Sequence, residues 1–254
     1  MAQTDMAADL PEPVAEDIVV ETPEAFKAMP QEYQELAIHQ MLVHTEGELT
    51  GADDYIHLFY PMAPNAYEKL VCCERAAEEM DHYMIGSAVL ADLGVDTSNM
   101  LDQHFQERPY YPNEIVRYTK TWMERGFFSF LGEQAVFDHL LEMQQSSYRP
   151  WGRSFEKIIK DEKVHIAHGY RIVREACKTP EGLEEAQQTL NYMWPMVLDL
   201  FGRSDSKRSK LYLKWGLRKH SNAESRPQFI AKMRPKLQEL GLEAPDDHLN
   251  RKFL

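Results

Sequence analysis

"KDEKVHIAHGY", residues 160–170, is the stretch whose reading decides the fold. Around it an apolar stripe runs through Phe155, Ile158, Ile159, Ile166, Ile172 and Val173 at helical spacing. Glu162 and His165 interrupt that stripe, whereas Lys160 and Lys163 fall on the charged face. A carboxylate turned toward a core must be paired, protonated or bound to metal, because a bare buried charge is costly. The i, i+3 spacing puts Glu162 and His165 on one face, so one carboxylate and one imidazole are offered side by side.

The same Glu-x-x-His word occurs upstream in "AEEMDHY" (77–83), as Glu79 and His82. There the stripe includes Leu70, Cys72, Ala76, Gly86, Val89 and Leu90. Two further helical segments supply acids. Glu133 stands among Phe130, Leu131, Val136, Phe137 and Leu140, with Gly132 beside it, and Glu48 lies near the end of the first helix. One Glu from each of two helices plus Glu-x-x-His from each of two others is the ligand set of carboxylate-bridged di-iron or di-manganese bundles. Taken alone, Glu133 also reads as a buried acid paired with Arg125 or another base. Carboxylate and imidazole together favour iron or manganese, and no cysteine cluster points to structural zinc. The His-Glu-x-x-His word of zinc proteases is absent.

Metal-bound histidines usually give their second ring N–H to a carboxylate. An acid precedes each Glu-x-x-His word, Glu78 and Asp161, so cross-helix pairs are expected: Asp161 with His82 and Glu78 with His165. His44, one turn before Glu48, reads as a packing or outer contact. Glu46 should point away from the site, because it lies two residues from Glu48 on the helix. His39, His57, His139 and His168 read as ordinary polar histidines, and Cys72 and Cys73 as small core residues. The aromatic side chains around Glu133, Phe130 and Phe137 above all, are candidates for a substrate pocket as well as for core.

The organisation follows from the helical runs. Residues 1–28 read as an acidic, mobile leader, with no basic residue in the first 25. Helical segments are expected at about 31–50, 64–93 (opened by Pro64 and stopped by Gly94), 113–146, 150–177 and 181–201. A basic stretch precedes a short helix, and a last helix covers about 226–240. The expected fold is all-α: a ferritin-like four-helix bundle over 29–203, with additional C-terminal helices and a tail over 204–254. A net charge of −13 argues against a nucleic-acid partner. No stretch approaches the roughly 18 apolar residues of a membrane span. Three cysteines without framework spacing, and no signal-peptide pattern, point to a reducing, cytoplasmic setting.

At this point the chain resembles a known family, the catalytic subunits of the ring-1,2-phenylacetyl-CoA epoxidase or phenylacetate-CoA oxygenase type, which are bacterial multicomponent monooxygenases. The similar stretches are "HTEGELTG" (44–51), "APNAYEKL" (63–70), "SYRPWGRSFEKIIKDEKVH" (147–165), "WPMVLDLFG" (194–202) and "LGLEAPDDHL" (240–249). The resemblance implies iron ligands at Glu48, Glu79, His82, Glu133, Glu162 and His165, the set reached from helix spacing. It implies two iron ions, with mixed manganese and iron the other possibility. It implies O₂ and an acyl-CoA as substrates, electrons from a separate reductase, a noncatalytic helical partner subunit, and a homo-oligomer as one form of assembly. Two departures stand out. Arg75 occupies the place of a family lysine, where it could face the site as a base, a bridging-carboxylate contact or a thioester-carbonyl contact. Glu133 stands where the family has the shorter aspartate. The basic run Lys207, Arg208 and Lys210 reads either as a solvated loop or as a contact for CoA phosphates. The competing functions are a ferroxidase or metal-binding bundle and a noncatalytic structural subunit of the same oxygenase.

Overall fold

Several helices start where a side chain satisfies a free backbone N–H group, at Asn65, Thr121, Thr179 and Ser221, whereas those opening at Gln31 and Arg149 have no side-chain cap. The computed structural model describes residues 18–109 and 119–253. A short helix α1 (Pro23–Lys27) precedes α2 (Gln31–Asp54). Helix α3 (Ala66–Asp92) is capped by Asn65, whose side chain accepts from Glu68 N–H at 3.0 Å. The cap is therefore Asn65, and Pro64 lies outside the helix it was expected to open. Gly94, at φ 84°, ends it. Helix α4 (122–143) starts at a Thr121–Glu124 capping box, later than the expected 113, and 110–118 lie outside the described residues. Helices α5 (Arg149–Ala176), α6 (Pro180–Asp199), α7 (Lys207–Lys214) and α8 (Asn222–Glu239) follow. The last begins four residues before its expected start because Ser221 and Glu224 form a second capping box.

Helices α2 to α5 form a ferritin-like four-helix bundle: α2 packs along α3, and α5 packs on both α3 and α4. Small residues set the close crossings. A Cβ on Gly86 of α3 would lie 2.3 Å from Thr45 Oγ1 of α2. A Cβ on Gly169 of α5 would lie 2.5 Å from Phe130 N of α4. The second contact is with backbone, which cannot swing aside. Gly169→Ala is therefore expected to destabilise the chain by about 1–3 kcal/mol through overpacking, read as a lower midpoint in thermal denaturation.

Two apolar cores lie on either side of a polar layer. One joins Tyr55, Phe127, Phe130 and Leu131 to Trp194, Phe201 and Phe229; the other joins Tyr33, Met41 and Leu90 to Leu140, Trp151 and Phe155. Along α2, Met41 belongs to one core and Tyr55 to the other, with Glu48 between; along α3, Ala76 and Leu90 flank Glu79 and His82 in the same way. The polar layer is thus built into the interior of the bundle.

The expected boundaries at 28 and 204 are not the edges of the packed body. Residues 1–17 lie outside the described residues, but 18–28 pack against the bundle. Phe26 is 1% exposed, with its ring 4.9 Å from that of Tyr148, and Val20 N donates to Ser147 O at 2.8 Å. One buried aromatic outweighs the acidic composition around it. The C-terminal helices share both cores, α8 through Phe229, Met233 and Leu237, and the turn after α7 through Trp215 and Leu217. Leu70 and Cys73, expected inside, are exposed, whereas Cys72 is buried. Among the described residues no helix is long and apolar enough to cross a membrane.

Candidate metal centre

The polar layer brings together all six side chains singled out in the sequence. Glu48 comes from α2, Glu79 and His82 from α3, Glu133 from α4, and Glu162 and His165 from α5. Glu48, Glu79, His82 and Glu162 can present one ligand atom each within 4.8 Å of one another, and Glu133, Glu162 and His165 do the same. The two clusters share Glu162, whose Oε1 lies 3.8 Å from His82 Nδ1 and 3.6 Å from His165 Nδ1. Glu79 also reaches both rings, with Oε2 3.9 Å from His82 Nδ1 and Oε1 3.3 Å from His165 Nδ1. Glu48 Oε2 lies 3.0 Å from His82 Nδ1. Gly51 leaves room for this packing: a Cβ there would stand 3.0 Å from Glu79 Oε2.

Both imidazoles turn Nδ1 inward and Nε2 outward. His82 Nε2 pairs with Asp161 Oδ2 at 3.1 Å and His165 Nε2 with Glu78 Oε2 at 2.8 Å. Each carboxylate belongs to the helix opposite its histidine. An acceptor at Nε2 places the ring proton there and leaves the Nδ1 lone pair for the centre. Each outer carboxylate has its own cation. Lys157 Nζ lies 2.6 Å from Asp161, and Arg75 pairs with Glu78. Burial pushes Glu78 and Asp161 up, but the bonds to His165 and Arg75, and to Lys157 and His82, outweigh it and hold both below ordinary carboxylate values. Arg75 is thus taken up by Glu78 one turn along its own helix. It does not line the cavity that opens from the centre, so the expected contact with a bridging carboxylate or a thioester carbonyl is corrected.

The inner groups satisfy one another only in part, His82 Nδ1 being hydrogen-bonded to Glu48 Oε2. Burial, then the neighbouring Glu48, pushes Glu79 up to about 7; burial also raises Glu133, and raises Glu162 well above its ordinary value. Burial disfavours the charged form of His82, but Glu48, Glu79 and Glu162 together raise it to about 9, and Glu162, Glu78 and Glu79 drive His165 up against its own burial. Glu133 Oε2 and His165 Nδ1 are buried with no hydrogen-bond partner. Four carboxylates and two inward lone pairs match a pair of divalent cations in charge and donor type, and with them the burial cost would be offset. The residues therefore fit two metal ions.

A cavity of about 800 Å³ opens from this layer, lined by Glu48, Glu79, Glu133 and Glu162 at the centre and reaching exposed Arg208 and Lys252. Its apolar wall includes Phe59, Phe128, Met196, Leu200 and Phe201. Phe130 and Phe137, expected there, instead pack in the two cores. For Phe130 the reason is a π-helical turn over Phe128–Glu133; Phe137 lies in the regular helix after it. The turn's i→i+5 repeat brings Phe128, not Phe130, one turn from Glu133. A second π turn, Tyr55–Phe59, ends α2.

The remaining histidines divide. His44 Nε2 sits 3.2 Å from Glu48 Oε1, with its ring 5.3 Å from Trp151 and 5.1 Å from Phe155; burial, then His82, lowers it to about 3. His168 is a buried partner of Glu68 at 2.7 Å and stays out of both clusters. His39 contacts Arg208 at 2.6 Å, and His57 stacks on Phe105. Of the basic run, Arg208 lines the cavity, and Lys207 and Lys210 are exposed and do not. Glu46 is buried outside both clusters. The pairing of Glu133 with Arg125 is indirect. Tyr55 donates to Glu133 Oε1 at 3.1 Å, and Arg125 donates to Tyr55 Oη at 3.2 Å. Tyr55 is the residue that sequence reasoning missed. It lies seven residues after Glu48, two helical turns on the same face, a spacing that could have found it.

The family described as phenylacetic acid catabolic protein matches residues 12–252 of the chain. A curated relative, one of the subunits of 1,2-phenylacetyl-CoA epoxidase from Escherichia coli (strain K12), is 25% identical over 229 residues, covering 87% of this chain and 72% of the relative.

Proposed function

We infer, from the premise that the chain belongs to the phenylacetic acid catabolic protein family, that it is the oxygen-activating subunit of a di-iron monooxygenase acting on an aromatic acyl-CoA. The observation that carries this reading is the pair of Glu/His clusters sharing Glu162 at the inner end of a deep cavity. In this reading Glu48, Glu79, His82 and Glu162 would hold one iron, and Glu133, His165 and the shared Glu162 would hold the other. Bound iron supplies the reduction of O₂ and the transfer of one oxygen atom to the ring as an epoxide, the other atom leaving as water.

The chain's own residues do the rest. Asp161 and Glu78 keep the protons of His82 and His165 on the outer nitrogens. Phe59, Phe128 and Phe201 make an apolar wall that accepts an aromatic ring and excludes water beside the metals. Arg208, Arg218 and Lys252 line the same cavity and suit the phosphates of a CoA thioester whose acyl end reaches inward. The name of the curated relative supports this substrate class and a multi-subunit assembly. A separate reductase is proposed as electron source and, as partner, a related noncatalytic helical subunit.

The test is anaerobic Fe²⁺ loading, then O₂ and a panel of CoA thioesters with a matched reductase, read by product mass. An aromatic thioester is expected to gain one oxygen atom. Catalytic oxidation of Fe²⁺ with no thioester oxygenated would replace this reading with a ferroxidase. Absence of both activities, with no metal bound, would favour a structural subunit.

A further inference from the structure

We propose that Tyr55 and Arg125 are positioning residues that fix which oxygen of Glu133 faces the metal pair. This rests on the metal-centre reading above. The direction of the hydrogen bonds is forced by chemistry. A guanidinium can only donate. The 3.2 Å contact from Arg125 Nη2 therefore makes Tyr55 Oη the acceptor, and the hydroxyl proton goes to Glu133 Oε1, 3.1 Å away. Oε1 is thereby occupied on its outer side. Oε2 is left buried with no hydrogen-bond partner, the oxygen free for a metal.

Burial makes this arrangement stiff. Arg125 is 0% exposed, and among the described residues no carboxylate lies within ion-pair distance of it. Its guanidinium stands 5.4 Å from the ring centroids of Tyr55 and Trp122 and 5.6 Å from that of Phe59. The positive charge is answered across one hydroxyl by Glu133. Removing that hydroxyl separates a buried cation from a buried carboxylate and leaves each without its link. The backbone contributes as well. Tyr55 opens the π turn at the end of α2, and Glu133 closes the π turn within α4. The two irregular turns meet at this hydrogen bond and at the rings of Phe59 and Phe128, 5.7 Å apart, which together tie the register of α4 to that of α2. The metal position served by Glu133 and His165 should depend on the link; the position served by Glu48 and His82, held from α2 and α3, should not.

The experiment is a stepwise anaerobic Fe²⁺ titration of the full chain against a competing chelator, with bound iron counted by elemental analysis. The parent should bind two ions. In Tyr55→Phe and in Arg125→Met the second ion is expected to bind about 10- to 100-fold more weakly, as when other outer partners of metal ligands are removed, with the first unchanged. Arg125→Lys, which keeps a donor for Tyr55, should recover part of the loss. A merely structural role would instead weaken both ions alike and lower the midpoint of the metal-free chain. Equal weakening of both, or a second ion bound as tightly as in the parent, overturns the proposal. Should Tyr55→Phe not fold, the comparison of Arg125→Met with Arg125→Lys decides it. A parent that binds fewer than two ions refutes the metal-centre reading and this proposal together; a parent that binds two, with unaltered variants, refutes this proposal alone.

Discussion

Glu162→Ala should abolish both iron binding in pairs and turnover while leaving the fold intact. Glu162 is the one side chain common to both ligand clusters, with Oε1 nearly equidistant from the two inner histidine nitrogens at 3.8 and 3.6 Å. Its loss removes a ligand from each ion and the charge that keeps two cations close. A bound metal contributes several kcal/mol to such a reaction. At 1.36 kcal/mol per factor of ten, a rate below about one thousandth of the parent is expected. Stability should move differently. Glu162 is buried among other carboxylates, which drives its carboxyl well above its ordinary value, so the metal-free chain holds it at a cost. The substituted chain without metal should melt at the parent's midpoint or higher, and it should lose the upward shift that metal gives the parent. Iron content by elemental analysis and thermal melts with and without Fe²⁺ check both halves. A variant that still holds two irons would sink the shared role of Glu162.

What the sequence made legible was local. A Glu-x-x-His word states its own geometry, since i and i+3 share a face on any α-helix. Capping and stop residues placed most helix ends within a few positions, and the quoted motifs pointed to the right family. What stayed hidden depended on partners far along the chain. The π turn at Phe128–Glu133 is the clearest case. With a 3.6-residue repeat, Phe130 and Phe137 share the face of Glu133. With one wider turn, Phe128 takes the place of Phe130, which goes to one core; Phe137, beyond that turn, packs in the other core. Nothing in "FFSFLGE" announces the change of repeat. Arg75 reaches the centre only through Glu78, which in turn holds His165. Its competing partner, Glu78, stood one turn away in plain sight, and the nearest anion took the guanidinium. Residues 18–28 read as leader because composition averages out single residues, while packing turns on one of them, Phe26.

The second large effect is on how stability depends on pH once metal is stripped. Glu48 and its neighbours raise His82 to about 9, against 6.5 when unperturbed, and His165 is displaced in the same direction. For a group raised in the fold, the stabilisation is complete below the unfolded value and disappears as pH rises through the folded value. The window is therefore pH 6.5 to 9. Over it His82 alone should cost the stripped chain about 3 kcal/mol, or roughly 6–12 °C in midpoint for a domain of this size. The lowered histidines, His44 and His139 at about 3 and His168 at about 4, stay neutral in the fold and offset part of this, roughly 0.4 kcal/mol each, as their unfolded forms lose the proton above pH 6.5. Metal should reverse the trend. An ion on Nδ1 takes the place of the proton, and its binding releases protons and tightens as pH rises. Melts of chelator-dialysed and metal-loaded chain at pH 6.5, 7.5 and 9 should diverge steadily, the stripped curve falling while the loaded one holds. His82→Gln should make the stripped curve shallower, His165, Glu79 and Glu162 carrying the slope that remains. Parallel curves would mean that metal does not replace the proton on these imidazoles, and that Glu48, Glu79 and Glu162 gather around His82 for structural reasons alone.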